Sequence, residues 1–196
     1  MRHIYCMHVN TEKHCIEQIK KGDHEAFSWI VDKYKDLVYT LCVRMLSSES
    51  DAEEAAQDVF VKVYKSINSF HGKSKFSTWL YRITYNQCIS IIRRKVKLID
   101  LVDEMPETEI DESSIDALEE LKLKDRAVYV KQALEALPET DAFILTLFYY
   151  EELSLEEICE VTGQTNNNVR IRLHRARKKM YIVLKDIMKT ELNSIL

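Results

Sequence analysis

Three carboxylates share one face of a predicted helix in the first half of the chain. Asp51, Glu54 and Asp58 stand at positions i, i+3 and i+7, which places them on one side of the helix. The helix is indicated by an apolar stripe formed by Ala52, Ala56, Val59, Val63 and Ile67. Two interpretations are open here. Acidic residues near a helix start interact favourably with the helix dipole without any partner, or they bind a cationic surface.

A basic loop with a phenylalanine at each end follows this helix. Residues 70–76 read FHGKSKF, and the next predicted helix runs from Trp79 to the basic residues 93–95. Aromatic faces stack on unpaired bases while Lys and Arg neutralise phosphates, so the mixture is typical of a site for single-stranded nucleic acid. The alternative is that Trp79, Ile83 and Phe76 are core residues at helical spacing.

The last quarter of the chain has the pattern of a helix-turn-helix. Ser154 and Glu157 predict a capping box at the start of a short helix, Gly163 supplies the turn, and a longer helix begins near Asn166. Seven basic residues and no acidic one lie within residues 161–185. A run of one sign suits a polyanion better than it suits solvent alone.

The wheel of this longer helix separates an inward stripe from an outward one. The inward stripe is Val169, Leu173, Ala176 and Met180. The opposite side, which would face a major groove, carries Arg170, Ile171, His174, Arg175 and Lys178. Arg172, Arg177 and Lys179 flank that side, within reach of phosphates.

Composition indicates which elements position these groups. Gly occurs three times and Pro twice in 196 residues, too few for the turns of a sheet-rich protein, so the predicted fold class is all-α. Hydrophobic residues make up 46%, enough for packed cores. There is no apolar run of about 18 residues and no secretory signal at the N-terminus, which favours a cytoplasmic protein without membrane insertion.

The cysteines and histidines do not predict a metal site. Five cysteines without a CxxC pair are interpreted as free thiols. His3, Cys6, His8, His14 and Cys15 match no zinc pattern, so we expect no metal and no cofactor, and an N-terminal tail over residues 1–15 whose start is Met1 or Met7.

Charge divides the chain into two domains. Residues 96–126 contain 11 acidic and 4 basic residues and include Pro106, whereas residues 1–95 carry a net charge of +4. We therefore predict one helical domain over residues 16–96, a flexible acidic linker over residues 97–126, and a second helical domain over residues 127–188.

The order of these parts resembles bacterial RNA polymerase sigma factors. Residues 51–60 (DAEEAAQDVF) are similar to the region that binds core polymerase, and residues 76–83 (FSTWLYRI) to the following region, which handles the minus-ten promoter element. Leu137-Pro138, residues 156–158 and residues 168–177 resemble region 4, which binds the minus-thirty-five element. Two domains with a short linker are similar to the extracytoplasmic-function (ECF) group of the sigma-70 family.

This resemblance implies a role for each group of residues. The implied contacts with the β′ clamp helices of core polymerase are Asp51, Glu54, Gln57 and Asp58. The implied minus-ten and melting residues, with a loop that captures a flipped base, are Phe70, Lys73, Lys75, Phe76, Thr78, Trp79, Arg82, Asn86, Arg93 and Arg94. The implied minus-thirty-five residues are Asn168, Arg170, Ile171, Arg172, His174, Arg175, Arg177 and Lys178.

The resemblance also implies partners and a departure. It implies core RNA polymerase, promoter DNA and an anti-sigma factor as partners, and a linker that threads the polymerase channel. Position 171 is Ile, where relatives commonly carry a small hydroxyl residue, so an apolar contact with a thymine methyl is the expectation there.

Two other functions are weighed against this one. A helix-turn-helix regulator that acts without polymerase would use the C-terminal half, but it leaves the acidic face and the aromatic loop without a role. An enzyme is not supported, because the sequence has no paired catalytic carboxylates, no phosphate-binding glycine loop and no metal-ligand spacing.

Overall fold

The computed structural model describes residues 11–46, 48–98 and 123–195. Over these residues the chain is helical, with one short 3₁₀ turn at Ile67–Ser69 and no strand. This confirms the predicted all-α class. The helices are α1 (Thr11–Lys20), α2 (His24–Met45), α3 (Glu49–Ser66), α4 (Phe76–Leu98), α5 (Leu123–Glu135), α6 (Glu139–Tyr149), α7 (Leu155–Thr162) and α8 (Asn166–Ile195).

Side-chain caps fix where several helices begin. Asp23 Oδ1 accepts hydrogen bonds from the backbone N–H groups of Glu25 and Ala26, as expected for the predicted N-cap of α2. Ser48 caps α3 by accepting from the Asp51 N–H, so this helix begins two residues before Asp51.

Helices α1 to α4 form the N-terminal bundle. α2 packs on α3, α3 packs on α4, and α1 packs on α2. Ile30, Leu41, Val59 and Leu80 are completely buried between them, and the predicted apolar stripe of α3 faces this core, with Ala56 at its edge. The bundle therefore presents the opposite side of α3 to solvent.

The first helix starts earlier than the predicted N-terminal domain. α1 begins at Thr11, inside the predicted tail, because Cys15, Ile16 and Ile19 pack against the bundle.

The Sγ atoms of Cys42 and Cys88 lie 3.8 Å apart in the core, and no disulfide joins the described cysteines. Met1, His3, Cys6 and His8 lie outside the described residues, as does most of the predicted linker, residues 99–122.

Helices α5 to α8 form the C-terminal bundle. Leu134, Leu137, Leu145 and Ala176 make a small core where α5 and α6 pack on α8. Ser154 Oγ accepts from the Glu157 N–H and Glu157 accepts from the Ser154 N–H, which confirms the capping box of α7. α7 ends at Gly163, whose φ of 69° is the left-handed conformation that glycine adopts at least cost.

The two bundles pack against each other through α4 and α7 and through α2 and α6. Phe143, Ile144 and Leu147 of α6 are completely buried and belong to the same apolar cluster as the core of the N-terminal bundle. No helix in the described parts of the chain is long and apolar enough to cross a membrane.

Candidate functional site

The acidic face of α3 lies opposite its buried stripe. Glu54, Gln57 and Asp58 are exposed and Asp51 is half-buried, so the packing of Ala52, Ala55, Val59 and Val63 turns the predicted docking residues outward. These four residues, Asp51, Glu54, Gln57 and Asp58, are called the acidic ridge below. Val61, about half exposed, extends the ridge because it lies three residues after Asp58 and seven after Glu54.

Helix α4 contacts the two ends of the acidic ridge. Lys95 forms an ion pair with Asp51, and its hydrogen bond lowers the pKa of that carboxyl below its usual value. Gln87 Nε2 donates to Asp58 Oδ2 at 2.8 Å. One carboxylate is therefore paired with a cation, and the other is held by a neutral amide.

A cavity of about 400 Å³ opens between α1 and the loop of residues 70–76. Lys13, Glu17, His71 and Ser74 contribute to its polar lining. Lys20 on α1 fixes the loop: its Nζ donates to the Phe70 carbonyl at 2.5 Å and lies 5.9 Å from the centre of the Phe70 ring. The volume of the cavity is within the range of small-molecule binding pockets.

Three aromatic rings pack together at the base of this loop. The rings of Phe70, Phe76 and Trp79 contact one another with centroids 5.4 to 5.6 Å apart. Phe70 and Phe76 are buried and Trp79 is partly buried. Phe76 is therefore a core residue, as the alternative predicted, and Phe70 is buried as well, so neither ring is displayed for stacking on bases.

Four of the predicted minus-ten residues share one outward stripe of α4. Trp79, Arg82, Asn86 and Arg93 are separated by three, four and seven residues, and the last three are exposed. Arg94 is exposed at the edge of this stripe. Lys73 and Lys75 are exposed in the loop at the start of the helix.

Thr78 was predicted to contact DNA, but its side chain is buried in this structure. It is 1% exposed, and its hydroxyl has no hydrogen-bond partner among the residues that the structure describes. Thr78 lies on one side of α4 with Tyr81 and Tyr85, and the C-terminal bundle covers this side. A hydroxyl left unpaired under a protein surface is unfavourable.

Polar contacts between the bundles lie on that same covered side. Tyr81 Oη donates to Glu151 at 2.6 Å, and burial together with this bond raises the tyrosine pKa. Lys75 pairs with Glu157 at 2.9 Å. The rings of Tyr85 and Phe143 are 5.2 Å apart. Sequence reasoning assigned no site role to Tyr81 or Tyr85, although their spacing from Thr78 was available as a signal.

Helix α8 presents the predicted outward face. Val169, Leu173 and Ala176 are buried and Met180 is partly buried, which confirms the inward stripe. The exposed residues of the helix include Asn168, Arg170, Ile171, His174 and Arg175, whereas Lys178 is partly buried. The first turns of α8 thus carry a cationic surface with one exposed apolar side chain at its centre.

The two flanking arginines are bound within the C-terminal bundle. Arg172 donates to Asp141 Oδ1 at 2.7 Å, at the first turn of α6. Arg177 lies over the rings of Phe148 and Tyr149, 5.3 and 5.6 Å from their centres, at the end of α6. Their predicted phosphate contacts stay predictions, and the structure adds that both side chains also contact α6.

Within the described residues, no cluster of His, Cys, Asp and Glu could hold a metal ion. The surfaces found are an acidic ridge, a cavity beside a basic loop, and a cationic helix face. Such surfaces bind macromolecules by charge and stacking.

Comparisons with known proteins agree with this division. The family model described as "Sigma-70 region 2" matches residues 30–97, and the one described as "Sigma-70, region 4" matches residues 127–180. The "ECF RNA polymerase sigma factor SigW" of Bacillus subtilis is 38% identical over 182 residues, which covers 88% of this chain and 96% of that protein. The "ECF RNA polymerase sigma-E factor" of Escherichia coli is 30% identical over 181 residues, which covers 86% of this chain and 91% of that protein.

Solved structures show the same fold. The sigma factor RpoE from Bartonella quintana, in complex with the anti-sigma factor NepR, matches with a TM-score of 0.61 and 21% identity over 81% of this chain and 96% of that one. CnrH, in complex with the cytosolic domain of CnrY, matches with a TM-score of 0.60 and 20% identity. The match covers 89% of this chain and 97% of that one. The two region matches and the full-length relatives lead to one conclusion: the chain belongs to the ECF group of the sigma-70 family of RNA polymerase sigma factors.

Proposed function

We propose that this protein binds core RNA polymerase, directs it to specific promoters and promotes DNA melting there. The observation that carries the proposal is the separation of three surfaces on one chain: the acidic ridge on α3, the basic loop with α4, and the cationic face of α8. It acts as an initiation factor and catalyses no reaction itself. Its place of action would be the cytoplasm, where polymerase and promoter DNA are found.

The acidic ridge is the surface that we assign to polymerase docking. Its carboxylates would pair with cations of the β′ clamp helices, and the half-exposed Val61 would supply apolar contact area at the edge. An interface with a charged part and a buried apolar anchor gains both fast association and slow dissociation.

The cavity beside the loop of residues 70–76 is the site that we assign to a flipped base of the non-template strand. Lys20 holds one wall in place, and Lys73 and Lys75 supply cations for the adjoining phosphates. Arg82, Asn86 and Arg93 continue the path along α4. The strand would thus cross a cationic surface before its base enters the cavity.

The exposed face of α8 is assigned to the minus-thirty-five element. Arg170, His174 and Arg175 are placed for base edges, and Ile171 for a thymine methyl group. Asn168, at the start of the helix, is also exposed and would contact the same element.

An anti-sigma factor is a further partner that we infer for this chain. RpoE of Bartonella quintana is described in a complex with the anti-sigma factor NepR, and CnrH in a complex with the cytosolic domain of CnrY. A partner that keeps α4 and α7 together would keep Thr78 and Tyr81 covered.

Charge reversal of the acidic ridge tests the polymerase assignment. We expect Asp58→Lys to weaken core binding by more than about tenfold, because the clamp would then meet a like charge. Affinity is measured by competition for core polymerase, with circular dichroism as the check on folding. Glu49→Lys is the matched control, since Glu49 is exposed on the same helix but nearly opposite the ridge on the helical wheel. Equal affinities for Asp58→Lys and wild type would disprove the docking surface.

A further inference from the structure

We propose that Gln87 is a positioning residue that keeps Asp58 oriented and unpaired for the polymerase. The inference rests on the proposed docking role of Asp58. Gln87 is 2% exposed, on the side of α4 that packs against α3. Its amide reaches out from the core to the edge of the acidic ridge.

The two ends of the Gln87 amide have different partners. Lys62 Nζ donates to Gln87 Oε1, and Gln87 Nε2 donates to Asp58 Oδ2 at 2.8 Å. An ammonium group can only donate, so the carbonyl end must face Lys62 and the NH₂ end must face Asp58. The amide orientation is therefore set by chemistry.

Asp58 and Lys62 stand four residues apart on α3, the spacing at which an acid and a base form an ion pair on a helix surface. Yet Asp58 takes part in none of the ion pairs found among the described residues. The Gln87 amide lies between the two charges. It binds the ammonium on one side and the carboxylate on the other.

The consequence is a carboxylate that is oriented but not neutralised. A neutral donor satisfies one oxygen of Asp58 and leaves the charge and the second oxygen for an external cation. Asp51 shows the contrasting arrangement, since Lys95 pairs with it directly. Without Gln87, Lys62 can turn to Asp58 and mask it.

A double-mutant cycle tests this role. We expect Gln87→Met to lower affinity for core polymerase about three- to tenfold. Lys62→Gln should raise affinity more in the Gln87→Met background than in wild type, because it removes the masking cation. Lys65→Gln is the matched control, since Lys65 is also an exposed cation of α3, and its effect should be equal in both backgrounds.

A second control separates positioning from folding. Thr84→Val changes a buried polar residue of α4 whose hydroxyl donates to the Leu80 carbonyl of its own helix, so it should leave core affinity unchanged. Gln87→Glu keeps the side-chain size but places a carboxylate opposite Asp58, and should lower affinity further than Gln87→Met.

The outcomes distinguish this inference from the docking assignment. If Asp58→Lys weakens core binding but Lys62→Gln has the same effect with and without Gln87→Met, the role of Gln87 is wrong and the ridge stands. If Asp58→Lys has no effect, the docking assignment fails. A loss of affinity on Gln87→Met that persists unchanged in Asp58→Ala would also overturn the role of Gln87.

Discussion

Individual side chains of α8 divide into those that face outward and those that hold the helix in place. Arg170 and His174 are exposed, whereas Arg172 and Arg177 contact opposite ends of α6. Asp141, the partner of Arg172, is only 8% exposed. Removing one member of such a pair leaves a poorly solvated charge behind, and the loss is felt in stability.

Arg172→Gln should therefore act on folding before it acts on DNA. We expect a loss of about 1–2 kcal/mol in the free energy of unfolding, since a hydrogen bond between charged groups is lost and the arginine is partly exposed. Urea denaturation of the full chain measures the loss. In DNA binding by the holoenzyme, Arg170→Ala should relax the preference for one base position of the upstream element, whereas Arg172→Gln should leave the salt slope unchanged.

The comparison with Asp141 checks the mechanism. Asp141→Asn should destabilise to a similar degree, and the double variant should be less destabilised than the sum of the two. An unchanged unfolding midpoint for Arg172→Gln, together with a lower salt slope, would return Arg172 to the phosphate contacts.

At the scale of the element, the short helix α7 depends on its first turn. The Ser154 and Glu157 capping box satisfies backbone groups at the helix start, and Lys75 adds an ion pair from the other bundle. The backbone hydrogen bond with Ser154, and then Lys75, lower the pKa of the Glu157 carboxyl. α7 is thus held by one side chain that serves both its own start and the contact with the N-terminal bundle.

This lowered pKa predicts a pH dependence. Because the folded protein holds the Glu157 proton more weakly than the unfolded chain does, its contribution is complete above the ordinary Glu pKa of about 4.3 and disappears as pH falls through the lower folded value. We expect Glu157→Gln to lower the free energy of unfolding by about 0.3–1 kcal/mol at neutral pH.

Thermal unfolding between pH 3 and pH 7 checks this expectation. The difference between wild type and Glu157→Gln should shrink toward the acid end of the range. Glu156→Gln, one residue away and exposed, is the matched control. A Glu157→Gln difference that stays constant with pH would contradict the assignment.

At the scale of the whole molecule, the C-terminal bundle covers part of the surface that α4 would offer to DNA. Tyr81 and Tyr85 are buried, and the carboxylates of Glu151 and Glu157 bind Tyr81 and Lys75. Region 2 in this arrangement presents the outward stripe of α4 but not its neighbouring tyrosines. We therefore expect full contact with a strand to require that the bundles separate.

Weakening this contact should therefore expose α4. We expect Glu151→Ala to speed amide hydrogen exchange in α4 and α7, because Tyr81 loses its hydrogen-bond acceptor. The same variant should bind a single-stranded minus-ten oligonucleotide more tightly than wild type. Glu160→Ala, an exposed acid of α7, is the control. Unchanged exchange in α4 would show that Tyr81 and Glu151 do not hold the bundles together.

Local patterns in the sequence were sufficient to predict the helices and their outward faces. The N-cap at Asp23, the capping box at Ser154 and the turn at Gly163 depend on neighbours a few residues away, so composition and spacing predict them. The same holds for the stripe of Val169 and Leu173, since a helix repeats every 3.6 residues.

Only the tertiary structure decided which charged and aromatic residues remain available. Gln87 meets Asp58 across 29 positions of sequence, Arg172 meets Asp141 across 31, and Tyr81 meets Glu151 across 70. A wheel places a residue on a face but cannot say what packs against that face, because the partner belongs to another helix. For that reason the sequence predicts Thr78 at a DNA surface, whereas in the structure its side chain is buried.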